Sequence, residues 1–455
     1  AAQRDRVALV LLVALVVLFP ISTAKVVLTT PSAVDDLLRR TAIHAFDPVL
    51  VAISVLAIGR WIRADRPPPQ GLVPRAACAT GVLLVIAFAF HPSSHGLEVL
   101  LRVGATAAVA TEVARLTGSN RQLLLGAVYA LGVGEAILSI LQVWNGGTLT
   151  HGPLEMARFP VFHFGSAVAG QGSFSHPYHL ACVLLVALGA GLIGLRAASP
   201  RRRWVWWAGL PVVGAALGMS FSRTCLAVIV VALVVVVVFR PVGNGRRVMV
   251  VAGSLVAVGF LVGGYVGLDG WRYKERISAN AESFDSSRGT VAGVARDLIV
   301  EHPLVGVGPG RYVQTVIDEH SSAYHLPPHD LFLQVAAEDG VLAAVMVLAL
   351  AVGIGVRLLR AGPETLAAFV LLAPFFLFDA FPYVYPHGLV ITGLWLGFLH
   401  RSDHSAGRKL SWQRGGSRSS TDRKGASFRT AVGSGSTRAG SSDACARSWV
   451  TPSRV

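Results

Sequence analysis

Apolar stretches recur near residues 7–22, 47–62, 76–90, 97–114, 122–143, 178–195, 204–220, 225–239, 248–266, 332–356, 365–380 and 388–400. Each approaches the ~20 apolar residues that carry a helix across a hydrocarbon core, where every backbone polar group must be satisfied within the segment. The pattern therefore predicts an all-α, polytopic membrane protein with about twelve transmembrane helices. The first run, Val7 to Phe19, follows Arg4 and Arg6 and lacks a convincing small-residue cleavage site, so it reads as an uncleaved helix.

The connectors orient these spans. With the N-terminus inside, the inner connectors hold Arg60, Arg63, Arg66, Arg75, Arg115, Arg121, Arg196, Arg201, Arg202, Arg203, Arg240, Arg246, Arg247, Arg357 and Arg360, fifteen basic residues against two acids, Asp65 and Glu364. Basic residues gather in cytoplasmic loops, so both termini are expected in the cytoplasm. The outer connector from Trp144 to Pro177 is moderate, and the one from Gly267 to Asp330 is long, with six basic and nine acidic residues. Long ordered loops usually carry function. Within this one, Val291, Val294, Leu298 and Ile299 in Gly289–Glu301, and Tyr312, Val313, Val316 and Ile317 in Gly310–His320, predict two short amphipathic helices at the outer membrane surface. The chain thus divides into nine helices over 1–266, a large extracytoplasmic loop over 267–330, three helices over 331–400 and a basic, disordered cytoplasmic tail over 401–455.

Composition agrees with the pattern: of 455 residues, 53% are hydrophobic and only 14% charged. The formal charge of +15 raises nucleic acid as a partner, but Arg401–Val455 alone contains eleven Lys/Arg and three Asp/Glu, a local excess of +8. Such a tail reads as a solvated extension that obeys the positive-inside rule, with attraction to anionic lipid as the alternative; membrane lipids are expected partners of the protein and nucleic acid is not. Cys78, Cys182 and Cys225 fall in apolar runs and Cys445 in the tail, without disulfide or zinc spacing.

Several polar residues stand where charge is costly. Arg223, in Ser222-Arg223-Thr224, occupies so short an outer connector that it must lie at the membrane boundary, as an interfacial anchor or as a guanidinium that grips a phosphate. Arg288 immediately precedes the first loop helix. The segment His302 to Gly310 is a glycine-rich turn that could present backbone donors to an anion, although it lacks the Lys-Ser/Thr ending of a phosphate loop. His329 follows Pro327-Pro328 and precedes Asp330, a candidate helix cap that fixes the imidazole where it could serve as a general base. Glu135 lies mid-span, implying an ion pathway or a structural pair with Arg102. His151, His163, His176 and His179 lack metal spacing, so no metal and no cofactor is expected. Arg158 and Arg311 are outer-face cations that could supplement an anion site.

In combination these pieces resemble the O-antigen ligase and polymerase family of bacterial envelope glycosyltransferases. The matching pieces are Gly172-Ser173-Phe174-Ser175-His176-Pro177-Tyr178-His179, Ser222-Arg223-Thr224, Arg288 before a helix, Glu301-His302-Pro303-Leu304-Val305-Gly306-Val307-Gly308-Pro309-Gly310, and His329 followed by Glu338-Asp339-Gly340. Asp330 and Tyr178-His179 depart from the family's usual residues. The resemblance implies a glycan donor on undecaprenyl diphosphate, a lipid or glycan acceptor, and transfer at the outer face of the bacterial inner membrane. Carried onto this chain, Arg223 and Arg288 would bind the diphosphate, with Arg158 and Arg311 as supplements, and His329 would orient or deprotonate the acceptor. Two fixed cations can replace the divalent metal of other sugar transferases, so metal-independent transfer with inversion is expected. The alternatives are a polymerase that joins lipid-linked repeat units and, from another class, an envelope glycan transporter or flippase.

Overall fold

The computed structural model describes residues 2–21, 24–29, 40–63, 72–147, 163–164, 167–174, 176–199, 201, 203–220, 222–238, 244–267, 289–319, 327–359, 369–371, 373, 383 and 385–399. Helices α1 (Ala2–Leu18), α2 (Asp47–Ile62), α3 (Leu72–Phe90), α4 (Ser94–Arg115), α5 (Gly118–Trp144), α6 (Pro177–Ala197), α7 (Arg203–Met219), α8 (Arg223–Val238) and α9 (Asn244–Gly267) come first. They are followed by α10 (289–301), α11 (Tyr312–Glu319), α12 (Leu331–Asp339), α13 (Val341–Leu359) and α14 (Pro386–Leu399). Every predicted apolar run except 365–380 falls on a helix; that run lies mostly outside the described residues. The basic tail lies wholly outside them.

Among the described residues four helical segments are long and apolar enough to cross a membrane: Val73–Phe90, Gly118–Trp144, Pro177–Leu195 and Val341–Leu359. Their burial differs in an informative way. Val73–Phe90 and Val341–Leu359 are only 17% and 22% buried, whereas Pro177–Leu195 is 83% buried. Helix α6 is therefore the centre of the bundle, while α3 and α13 turn Val82, Val85, Val345, Leu348 and Val352 outward. An exposed aliphatic flank of this kind suits a hydrocarbon solvent, since a soluble fold would bury it.

Small residues set the closest helix crossings. Gly214 and Gly218 on α7 face the backbones of Val256 and Phe260 on α9, and Gly259 and Gly263 face those of Pro211 and Ala215. A Cβ at any of the four would approach a backbone oxygen of the partner helix to 2.1–2.4 Å. With lipid tails as apolar as leucine, such packing replaces the hydrophobic effect as the cause of association. The register also shows that α7 and α9 run parallel, so α8 returns between them. On α14, Gly393 and Gly397 pack on Thr106, Val109 and Val113 of α4 in the same parallel sense.

These directions define two ends of the bundle. At one, Arg60 bridges Glu112 (2.8 Å) and Asp5 (3.2 Å), and Arg121 donates to the Phe398 carbonyl at 2.6 Å, where a cation opposes the negative end of α14. At the other, the loop end, lie the His91–Ser93 connector, the start of α6 and the turns described below. The all-α expectation needs two amendments. A two-stranded ribbon pairs β1 (Ala24–Thr29) antiparallel with β2 (Arg40–His44), and a shorter one pairs β3 (His163–Phe164) with β4 (Ala167–Val168). The predicted run 332–356 is broken as well: Gly340, at φ +89°, ends α12, and a Cβ there would stand 2.1 Å from the Leu304 carbonyl oxygen. The break leaves α12 ahead of the Val341–Leu359 span.

Candidate functional site

Two of the sequence pieces singled out above fold as buried turns, each anchored on a carboxylate. The first, residues 168–174, is buried against α5. Gln142 accepts from the Gln171 and Gly172 amides at 3.2 and 2.8 Å and donates to the Gly172 carbonyl at 2.7 Å. Glu135 accepts from the Ser173 amide at 2.9 Å and its hydroxyl at 2.8 Å. Glu135 stands about 14 Å below Trp144 at 1.5 Å rise per residue, so this turn descends well into the bundle. The expected pairing of Glu135 with Arg102 is corrected: Arg102 bonds Glu98 at 2.8 Å and Asp47 at 3.3 Å. Glu135 is occupied by the turn, which also removes the chief support for an ion pathway. The turn ends at His176, whose Nδ1 accepts from the Tyr178 amide at 3.0 Å and caps α6, with Pro177 in the first turn.

The second turn, 302–311, joins α10 to α11. The two helices form where amphipathic spacing predicts them, and they pack on each other through Ala295, Leu298, Tyr312, Val313 and Val316. The turn wraps the C-terminus of α12. Val307 and Gly308 donate to the Ala337 and Glu338 carbonyls at 2.9 and 2.8 Å, satisfying groups that a helix end leaves open. Gly310 and Tyr312 donate to the Glu338 carboxylate at 2.9 and 3.1 Å. Val341 donates back to the Pro303 carbonyl at 3.0 Å. The glycine-rich turn therefore does present backbone donors to an anion, and that anion is the protein's own Glu338. Gly306, at φ +65°, permits the approach, because a Cβ there would meet the Glu338 backbone at 2.3 Å.

The acids at this junction are unusual. Burial pushes the Glu338 carboxyl up to about 6, against the pull of its amide donors. Burial and the adjacent Glu338 hold Asp339 well above the ordinary aspartate value, and its Oδ2 accepts from the Tyr383 hydroxyl at 2.9 Å. With two amides on Glu338, the negative charge belongs there and the retained proton belongs on Asp339.

Of the residues expected to carry chemistry, His329 is partly buried directly before α12. Its neighbour Asp330 caps that helix as expected, accepting from the Phe332 and Leu333 amides at 2.7 and 3.0 Å. Arg223 is the first residue of α8; its side chain is outside the described part, as are Arg158 and Arg288. Arg311 opens α11, its amide donating to the Gly308 carbonyl at 3.1 Å. Among the described residues no group of three or more His, Cys, Asp or Glu side chains could hold a metal ion.

Residues 209–348, from α7 into α13, match the O-antigen ligase family. The match spans 140 of the 455 residues, and over them the chain is similar to that family. Among curated proteins none matches the chain. The match encloses Arg223, Arg288, the second anchored turn, His329 and Glu338-Asp339-Gly340, whereas the Glu135 turn lies ahead of it. Sequence reasoning quoted Glu338 as part of the resemblance without a role, and it missed Gln142 and His91 altogether. The signal for His91 was a short connector, His91-Pro92-Ser93, with a second histidine, His95, in the first turn of α4.

Proposed function

We propose that this protein transfers a glycan from undecaprenyl diphosphate to an acceptor hydroxyl at the outer face of the bacterial inner membrane. The multi-pass bundle has its arginine-rich end in the cytoplasm and its loop end outside. The observation that carries the reading is the family match, which encloses all three residues assigned to the chemistry. Arg223 and Arg288 bind the diphosphate, paired donors being suited to phosphoryl oxygens. His329 takes the acceptor proton as the acceptor oxygen attacks the anomeric carbon. The bond from that carbon to the diphosphate oxygen breaks, its electron pair leaves with undecaprenyl diphosphate, and the two guanidinium groups stabilise the departing charge. Attack opposite the leaving group inverts the sugar carbon.

The test uses purified full-length protein in lipid, with a glycan on undecaprenyl diphosphate and a hydroxyl acceptor. Wild type releases undecaprenyl diphosphate on transfer, and Arg288→Ala or His329→Ala lowers the rate at least 100-fold. Unchanged turnover in both variants sinks the assignment of the site. A chelator leaves the wild-type rate intact, and loss that a divalent ion rescues contradicts the metal-free route. A single transferred block identifies a ligase, and a ladder of lengths a polymerase.

A further inference from the structure

The second turn brings a guanidinium and imidazoles together near Gly308. A Cβ built on Gly308, at φ +102°, would stand 2.6 Å from the Cβ of His91 and 3.1 Å from the Cδ of Arg311. Both side chains therefore cross the same point over the turn, one from the α3–α4 connector and one from the start of α11. His302, directly after α10, begins the same turn, its carbonyl accepting from the Gly306 amide at 3.0 Å. Burial, then Arg311 and His302, lower the affinity of His91 for its proton, so both residues lie within electrostatic reach of His91.

Among the described residues no carboxylate lies within ion-pair distance of Arg311, His91 or His302. The nearby acids are engaged otherwise: Glu338 holds the Gly310 and Tyr312 amides, and Glu98 holds Arg102 and His95. A guanidinium and two imidazoles, all partly exposed, thus stand at one turn of the loop end with no ion-pairing carboxylate among the described residues.

We infer that His91, His302 and Arg311 form an anion subsite for a phosphoryl group carried by a substrate. The guanidinium fork and two imidazoles can address three oxygens in different directions, as a tetrahedral phosphate requires and a planar carboxylate does not. The subsite is distinct from the proposed reacting centre. His329 precedes α12 and the turn wraps its far end, a separation of about 13 Å at 1.5 Å per residue. With the diphosphate held at the His329 end of α12, the subsite takes a second phosphoryl group, such as a phosphate ester on the acceptor. Assigning that group to a substrate rests on the proposed glycosyl transfer; the binding itself does not.

The experiment places histidine-labelled full-length protein in phosphatidylcholine nanodiscs and follows imidazole resonances by NMR while inorganic phosphate is added. The His91 and His302 resonances move together along one saturating curve. Arg311→Gln weakens that curve at least tenfold, and His329→Ala leaves it unchanged although it abolishes transfer. Resonances that do not respond to phosphate, or that respond equally in Arg311→Gln, overturn the subsite. Acetate producing the same shifts at the same concentration overturns the phosphoryl assignment. If phosphatidylglycerol in the nanodiscs shifts both histidines without added phosphate, a lipid headgroup is the occupant and the substrate assignment fails. Absence of glycosyl transfer in wild type that still binds phosphate would remove the proposed function and leave the subsite standing.

Discussion

Glu135 and Glu338 each accept two hydrogen bonds from a glycine-containing turn, yet they are mounted and matched differently. Glu135 projects from the side of α5, at a depth where water offers no alternative partner, and it receives one amide and one hydroxyl from Ser173. Gln142, two helical turns further along, completes that turn's satisfaction. Glu338 stands at the end of α12 and receives two amides, with the open helix carbonyls taking two more. A hydroxyl can reverse its role and an amide cannot. The two carboxylates therefore hold similar turns with different tolerance for losing an acceptor oxygen, and a graded set of substitutions separates them.

The largest effect is expected for Glu338→Ala. It strands the Gly310 and Tyr312 amides in a buried place, a cost of roughly 2–6 kcal/mol at about 1–3 kcal/mol for each donor. Hydrogen exchange of the 306–312 amides in the full chain checks this, with protection lost there first. Protection retained at wild-type level would mean that the carbonyls of α12 hold the turn by themselves. Glu338→Gln comes next. Its amide nitrogen meets one of the two backbone donors, so about 1–3 kcal/mol is lost.

Glu135→Gln should cost about 1 kcal/mol or less, because the Gln oxygen keeps the Ser173 amide while its nitrogen donates to the Ser173 hydroxyl. Thermal unfolding in one detergent compares the three variants directly. An equal loss for Glu135→Gln and Glu338→Gln would break the comparison, since the kind of partner would then not matter. Adding Ser173→Ala to Glu135→Gln sharpens it: the double variant leaves the Gln nitrogen without its acceptor and falls below the sum of the single changes.

Much of this was legible beforehand. Apolar length placed the helices, and amphipathic spacing at Val291, Leu298, Val313 and Val316 located α10 and α11. A proline pair followed by Asp330 marked the start of α12. What escaped depends on contacts far apart in the chain. Nothing local says that Glu135 meets Ser173, or that Glu338 reaches back to Gly310, since both need the helices packed first. The break at Gly340 escaped because apolar residues continue on both sides, and only the Leu304 backbone demands a glycine there. The Gly214/Gly218 and Gly259/Gly263 spacing was readable as a close-packing signal and passed unnoticed among the 48 glycines of the chain.

The smallest effect concerns the residue beside Glu338. Asp339 keeps its proton because burial and its charged neighbour oppose ionisation, so its native affinity for protons exceeds that of the unfolded chain. By linkage, the folded state then binds more protons than the unfolded one. The stabilising contribution is fully present below the ordinary aspartate value of 3.8 and is lost as pH rises through the raised native value. Asp339→Asn imitates the protonated acid and can still accept from the Tyr383 hydroxyl. It should lie within about 0.5 kcal/mol of wild type at acidic pH, the range of a near-isosteric change that preserves its bonds. As pH rises, wild type loses stability at this junction and the Asn variant does not, so the two unfolding curves separate. Curves that stay parallel from pH 4 to pH 8 would place the shared proton on Glu338 and would weaken its role as the charged anchor of the turn.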